Sequence, residues 1–326
     1  MELTPITYQN PVWSDYLADP FILQTGGAYY AYGTGSDVEN GRQADGRMFP
    51  VLRSVDLVNW TCLGGALEPI TASTTSPYWA PEVAERDGTF YMYYAMDMRL
   101  RVATAKDPAG PFVDAERDLF PGEPFSIDAS PFRDPRDGEW YLFFAKDFFD
   151  DRVGTGTAVV TLAEDMMTTA SEPRVVVRAS SDWQIFQRNR RWYDRDWEAW
   201  HTVEGPFVME QDGRYYCLYS GGCWETADYG VSYAVADHPL GPWRDEWSGS
   251  GPVVLKGIPD KVLGPGHNSV IRGPDGRTDF VVYHAWDAAR TARRMCIDPL
   301  EFTTNGPRCD GPSTEPRTLR TRSAQL

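Results

Sequence analysis

The chain has 326 residues, 42% of them hydrophobic and 13% aromatic, and carries a formal net charge of −16. That much apolar material buries a substantial core and argues against a disordered chain. The charge opposes the phosphate attraction that nucleic-acid binders rely on and disfavours anionic membranes, so no nucleic acid and no membrane is expected, and a neutral or cationic ligand fits better.

The amino terminus, Met1-Glu2-Leu3-Thr4-Pro5, lacks a basic segment followed by an apolar one. A cytoplasmic protein is expected as the sequence stands, or a secreted one had a leader been trimmed. No run of about 18 apolar residues occurs that could span a bilayer. Cys62, Cys217, Cys223, Cys296 and Cys309 are odd in number and follow no metal-ligand spacing, which reads as reduced packing thiols.

Five hairpins then follow one plan. Asp19-Pro20-Phe21-Ile22-Leu23 turns at Gly26-Gly27 into Tyr29-Tyr30-Ala31-Tyr32, and Pro81-Glu82-Val83 turns at Asp87-Gly88 into Phe90 to Tyr94. Asp128-Ala129-Ser130-Pro131-Phe132 turns at Asp137-Gly138 into Trp140 to Phe144. Glu204-Gly205-Pro206-Phe207 turns at Asp212-Gly213 into Tyr215 to Tyr219, and His267-Asn268-Ser269 turns at Asp275-Gly276 into Phe280 to Tyr283. An Asp-Gly between two apolar runs is a strong hairpin signal. A polar anchor heads each copy: Asp19, Glu82, Asp128, Glu204, His267.

Each hairpin is followed by another short strand ending near an Asp-containing turn, as in Val51 to Asp56, Val102 to Asp107, Ala158 to Asp165, Val231 to Asp237 and Arg294 to Asp298. Repeats of this length made of short antiparallel strands predict an all-β, five-bladed propeller with four-stranded antiparallel blades. Strands apolar on both faces suit blades sandwiched between blades. A β-sandwich would not explain the recurring anchor. Residues 1–312 are expected to form the propeller as a single domain, and 313–326 a peripheral or poorly ordered tail.

Two insertions interrupt the period. Gly35 to Met48 is polar and Gly-rich; Ser180 to His201, rich in Trp and Arg, feeds straight into Glu204 and is expected to wall one side of the site, a solvated loop or short helix being the plainer alternative.

In a propeller the innermost strands run beside the axis, so the five anchors should converge there. Four carboxylates at close range push at least one pKa upward, a cost seldom kept for stability alone. Two carboxylic acids with separated pKa values are the minimum kit for glycosidic hydrolysis, one protonating the leaving oxygen and the other activating water.

The motifs Ala18-Asp19-Pro20, Trp79-Ala80-Pro81-Glu82, Ile127-Asp128-Ala129-Ser130-Pro131, Glu204-Gly205-Pro206 and Gly266-His267-Asn268-Ser269 occur in this order at blade spacing. In them the chain resembles glycoside hydrolase family 43, whose enzymes of plant cell-wall breakdown are five-bladed propellers. The resemblance implies that Asp19 is the general base, Glu204 the general acid and Asp128 the acid that tunes and orients Glu204. It also implies inversion, for which the base and acid should stand roughly 6.5–9.5 Å apart. His267 inherits an association with the sugar or with a calcium or sodium ion reached largely through waters; a hydrogen-bonded axial residue is the alternative. No organic cofactor is expected. Glu82 is assigned a supporting or substrate-neighbouring role. Arg294, with Arg293 beside it and the register between them open, matches a sugar-binding arginine, and Trp79, Trp224 and Trp286 are candidate stacking platforms.

The expected function is release of terminal α-L-arabinofuranose or β-D-xylose from arabinan or arabinoxylan oligosaccharides. An endo-acting arabinanase, a non-catalytic sugar-binding propeller and a retaining fructan-processing enzyme are the rivals. Three clustered acids argue against a mere binder.

Overall fold

Antiparallel strands joined by short turns make up most of residues 3–36, 41–70 and 76–322, the parts of the chain that the computed structural model describes. Strand β1 (Leu3–Tyr8) precedes the first blade, which consists of β2 (Ala18–Thr25), β3 (Ala28–Thr34), β4 (Met48–Ser54) and β5 (Thr61–Leu67). The second holds β6 (Tyr78–Arg86), β7 (Thr89–Met96), β8 (Arg99–Ala105) and β9 (Val113–Asp118). The third holds β10 (Ser126–Arg133), β11 (Trp140–Phe148), β12 (Gly154–Thr161) and β13 (Arg174–Val177), extended by the hairpin β14 (Ile185–Trp192) and β15 (Arg195–His201). The fourth comprises β16 (Val203–Gln211), β17 (Arg214–Gly221), β18 (Gly230–Ala236) and β19 (Leu255–Lys256). The fifth comprises β20 (Val262–Arg272), β21 (Asp279–Asp287), β22 (Arg293–Thr303) and β23 (Gly306–Cys309), and β24 (Arg317–Arg322) follows it. The ring is a five-bladed β-propeller.

Apolar residues on both faces of the strands build five seams, one between each pair of neighbouring blades. Adjacent residues serve different seams because successive side chains leave a strand on opposite faces. Tyr93 of β7 packs with Leu142 and Phe144 toward blade 3, while Tyr94 packs with Phe49 and Val51 toward blade 1. Cys217 and Leu218 divide in the same way between blades 3 and 5. Each large side chain so buried contributes about 1.5–3 kcal/mol.

Three predicted turns take the two-residue form in which both central residues have positive φ: Gly26-Gly27 (57° and 75°), Asp87-Gly88 (52° and 70°) and Asp212-Gly213 (51° and 82°). At Asp137-Gly138 and Asp275-Gly276 the glycine alone is left-handed. There the connection is longer.

The tail does more than expected. β24 pairs antiparallel with β1 from Leu3↔Arg322 to Tyr8↔Arg317, and the Ser313 amide donates to Asp298 Oδ2 at 2.9 Å. The Asn10 side chain exchanges two hydrogen bonds with the Ile297 backbone, both 2.9 Å, so the two ends of the chain meet on blade 5. Cys217, Cys223 and Cys296 are buried free thiols as expected, whereas Cys62 is exposed. Within the Gly35 to Met48 insertion, residues 37–40 lie outside the described residues, as do 323–326 of the tail.

Candidate active site

Every innermost strand breaks register near its start. The shifts fall between Ala18 and Phe21, Trp79 and Glu82, Ile127 and Ser130, Glu204 and Phe207, and Gly266 and Ser269. At each break one residue has a left-handed backbone: Asp19 (φ 50°), Ala80 (47°), Asp128 (57°), Gly205 (54°) and His267 (47°). A bulge of this kind re-aims a side chain out of the strand's alternation. The equivalent positions are therefore Asp19, Ala80, Asp128, Gly205 and His267. Glu204 stands one residue before its bulge, where blade 2 has Trp79, and Glu82 stands two residues after.

The amides freed by four of these bulges are satisfied by the preceding blade in the ring. Ala80 N–H donates to Thr34 Oγ1 (2.9 Å), Gly205 N–H to Asp128 Oδ2 (3.1 Å), His267 N–H to Ser220 Oγ (2.7 Å) and Asp19 N–H to His284 Nδ1 (3.1 Å). Thr34 passes its own proton to Asp19 Oδ2 at 2.5 Å. Bonds that fix the blades thus also fix the acids.

Asp19, Asp128, Glu204 and His267 line one cavity of about 350 Å³. His267 Nδ1 lies 3.4 Å from Asp19 Oδ1 and 3.9 Å from Asp128 Oδ2. Burial opposes ionisation of Asp19, but the imidazole of His267, the guanidinium of Arg293 and the ring of His284 outweigh it and hold the carboxyl well below the usual range. Burial lowers His267, and His284 to about 4, so neither ring is charged at neutral pH. The permanent counter-charge is Arg293, whose Nη1 sits 3.3 Å from Asp19 Oδ1.

The other two acids go the opposite way. Burial pushes Glu204 up to about 7, Asp19 adds to the rise, and the Tyr229 hydroxyl, donating to Oε1 at 2.8 Å, pulls against it. Burial, and then the charges of Glu204 and Asp19, raise Asp128. Glu204 and Asp128 titrate as a pair that keeps a proton where Asp19 has lost its own.

Arg293, rather than Arg294, faces the cavity. Its guanidinium lies 4.3 Å over Trp224 and takes the Tyr16 hydroxyl as acceptor at 3.0 and 2.8 Å. Arg294, the next residue on β22, points the other way and is spent on Asp287 (2.5 Å), the Ser14 carbonyl (2.7 Å) and Thr291 (3.0 Å). Trp79 and Trp224 line the cavity. Trp286 stands outside it: its ring stacks on Trp224 at 6.1 Å and its Nε1 donates to the Trp224 carbonyl, so it backs that platform. Glu82 is buried outside the cavity lining, its carboxyl raised by burial and bonded to Ser130, and Oε2 has no partner among the described residues. Burial thus favours its neutral form.

The Ser180 to His201 insertion is a single 3-10 turn at Asp182–Gln184 followed by a β-hairpin, and it does wall the cavity, through Phe186, Arg190, Trp192 and Trp200. Reading the sequence missed Tyr229, Tyr16, His284 and Asp147. His284 carried a signal, since a polar residue interrupts the buried run Phe280 to Ala285.

Calcium takes six to eight oxygen ligands at 2.3–2.6 Å. Beside His267, Asn268 has both amide atoms buried and unpartnered among the described residues, but one amide oxygen is not such a set. No group of three or more His, Cys, Asp or Glu among the described residues is arranged for an ion. The donors present do not fit a directly coordinated calcium or sodium.

A propeller that gathers one ionised and two protonatable carboxyls at the mouth of its axis is built for acid–base chemistry on a neutral ligand. The family model for glycosyl hydrolases family 43 matches residues 8–307, and the chain belongs to that family, a family of glycoside hydrolases. It is 29% identical to a β-D-galactofuranosidase of Aspergillus niger, over 91% of this chain and 83% of that protein. It is 26% identical to an extracellular exo-α-(1→5)-L-arabinofuranosidase of Cellvibrio japonicus, over 83% of this chain and 79% of that one. The crystal structure of a thermostable family-43 glycoside hydrolase superposes with a TM-score of 0.82 at 32% identity, covering 97% of this chain and all of the other.

Proposed function

We propose that the protein is an exo-acting, inverting furanosidase that releases terminal α-L-arabinofuranose from arabinan or arabinoxylan oligosaccharides. The observation that carries this reading is the opposed protonation of two acids in one cavity. Asp19 is held ionised beside Arg293, and Glu204 keeps its proton to about 7. Asp19 takes a proton from water as it attacks the anomeric carbon. Glu204 gives its proton to the departing oxygen, and Asp128, whose Oδ2 also takes the Gly205 amide, holds the charge beside it. Arg293 on Trp224 orients the terminal sugar.

Exo action is supported by the hairpin, which walls the cavity where an endo-acting enzyme needs an open groove. β-D-Xylose release stands as the pentose alternative. The Aspergillus niger relative favours a second reading. β-D-Galactofuranose has the ring configuration of α-L-arabinofuranose with one added hydroxymethyl group, so a pocket for one ring accepts the other where space allows. The test is a panel of aryl α-L-arabinofuranoside, β-D-xyloside and β-D-galactofuranoside, with the anomer of the first product followed by NMR. Retention of configuration sinks the Asp19 and Glu204 assignment, and a mixture of oligosaccharides from linear arabinan as first products sinks exo action.

A further inference from the structure

The hairpin places at the cavity wall an arginine for which the mechanism above has no use. Arg190 has its guanidinium carbon 4.9 Å over Phe186, 4.7 Å over Trp192 and 5.1 Å over Trp200. None of its N–H groups meets a hydrogen-bond acceptor among the described residues, and all four side chains line the cavity. A half-buried guanidinium with unused donors is costly unless a ligand supplies acceptors.

The neighbouring charge says what kind of ligand. Asp147 lines the same wall, accepting from Thr155 Oγ1 at 3.0 Å and from the Tyr193 hydroxyl at 2.7 Å, and its carboxyl balances the charge of Arg190. The cavity already holds Asp19, Asp128 and Glu204. Arg293 is already matched by Asp19 and Arg190 by Asp147, so neither guanidinium leaves an unmatched positive charge for an anion, and the acceptors are those of a neutral molecule.

Position says which part of the substrate. Arg293 stands 3.3 Å from Asp19 with its guanidinium over Trp224, while the hairpin runs through Trp200 and Thr202 directly into Glu204. The acid protonates the departing oxygen, so the group that leaves lies on its side. Beyond Trp192, Tyr193 (5.3 Å) and the half-exposed Phe149 (5.4 Å from Tyr193) carry an aromatic surface out to solvent.

We infer that Arg190, framed by Phe186, Trp192 and Trp200, forms the subsite for the leaving sugar and donates a forked pair of hydrogen bonds to hydroxyls of a neutral residue stacked on the hairpin. The inference rests on the furanosidase reading. Its test compares α-1,5-arabinobiose, whose leaving group has hydroxyls for Arg190, with 4-nitrophenyl α-L-arabinofuranoside, whose leaving group has only a ring to stack.

Arg190→Ala should lower kcat/KM for the disaccharide at least tenfold more than for the aryl glycoside, and leave the inhibition constant of free arabinose within about twofold. Arg190→Lys keeps the charge over the rings but loses the planar fork, and should show the same selective loss, so the outcome does not depend on one variant folding. Arg188→Ala, exposed on the same hairpin, outside the cavity lining and paired with Asp182, serves as the control that behaves as wild type. Equal losses on both substrates, weakened arabinose inhibition, or a wild-type preference for a leaving group bearing a carboxylate each overturn the inference. Failure of the wild-type protein to hydrolyse either substrate overturns the furanosidase reading instead.

Discussion

Tyr229→Phe removes the hydroxyl that restrains the acid, together with its contact to Ser220. The Tyr229 hydroxyl lies 2.8 Å from Glu204 Oε1, and its ring stacks parallel to His284 at 6.0 Å, packing that phenylalanine preserves. A hydrogen bond to a charged acceptor contributes about 1.5–3 kcal/mol against about 0.5–1.5 for a neutral one, so the ionised carboxylate loses about 1–1.5 kcal/mol more than the acid form when the hydroxyl goes. At about 1.36 kcal/mol per pKa unit, that raises the Glu204 pKa by about one unit. Glu204 works protonated, so activity is lost as pH rises through its pKa. The alkaline limb of kcat/KM, near 7 in the wild type, should therefore move about one unit higher. Asp19, held well below the usual carboxylate range, is ionised over the whole range assayed and adds no limb to it. The assay is kcat/KM on an arabino-oligosaccharide across about pH 4 to 9, because a substrate with a poor leaving group keeps protonation in the rate. An alkaline limb that stays put or moves to lower pH would show that Tyr229 does not act on the catalytic acid.

Glu204→Ala should cost roughly 10²–10⁴ in kcat/KM on oligosaccharides and far less on an activated aryl glycoside; equal losses argue against its acid role. Asp19→Ala should abolish turnover while calorimetry still detects binding of the released sugar, and appreciable residual turnover displaces Asp19 as base. In Gly154→Ala the added Cβ would run into the His201 backbone, at the one residue pair that ties the hairpin to β12, so the melting temperature should fall and KM for oligosaccharides rise. An unchanged KM would mean that the hairpin stays seated. Dialysis against EDTA should leave kcat unchanged, because the donors around His267 do not fit a directly coordinated calcium; loss restored by calcium would point to an ion held through waters.

The blades were legible because each is a local event: two apolar runs and a turn lie within about 20 residues of one another. The three acids were legible for the same reason, since each heads such a run. What escaped lies beyond the single hairpin. Tyr229 reaches Glu204 from the head of the third strand of the same blade, 25 residues on, and His284 reaches Asp19 only when blades 5 and 1 close the ring. The choice between Arg293 and Arg294 turns on which face of β22 looks inward, and a shift of one residue reverses that. Glu82 was grouped with the axial anchors because it heads a hairpin run as they do. The bulge puts Ala80 at the axial position and leaves Glu82 two residues beyond it, buried outside the cavity lining.

Ala80 also separates architecture from chemistry. Four of the five axial bulges hold a residue other than glycine at positive φ, a conformation that costs about 1–2 kcal/mol each. Strain on that scale is large beside the net stability of a folded domain, about 5–15 kcal/mol, and at Asp19, Asp128 and His267 it could be read as the cost of aiming a functional group. Ala80 has no functional group to aim, yet it adopts the same φ and donates the same kind of inter-blade hydrogen bond, to Thr34. The bulge therefore belongs to the propeller, which turns an inner-strand amide toward the preceding blade at four of its five seams. Chemistry follows from which side chain occupies the position so created. On the proposed mechanism an acid in blade 1 beside Arg293 serves as the base, and an acid in blade 3 beside Glu204 as its proton-sharing partner. Gly205 gives up the position so that Glu204, one residue earlier, can reach over it; a Cβ there would press on the His267 ring at 3.2 Å.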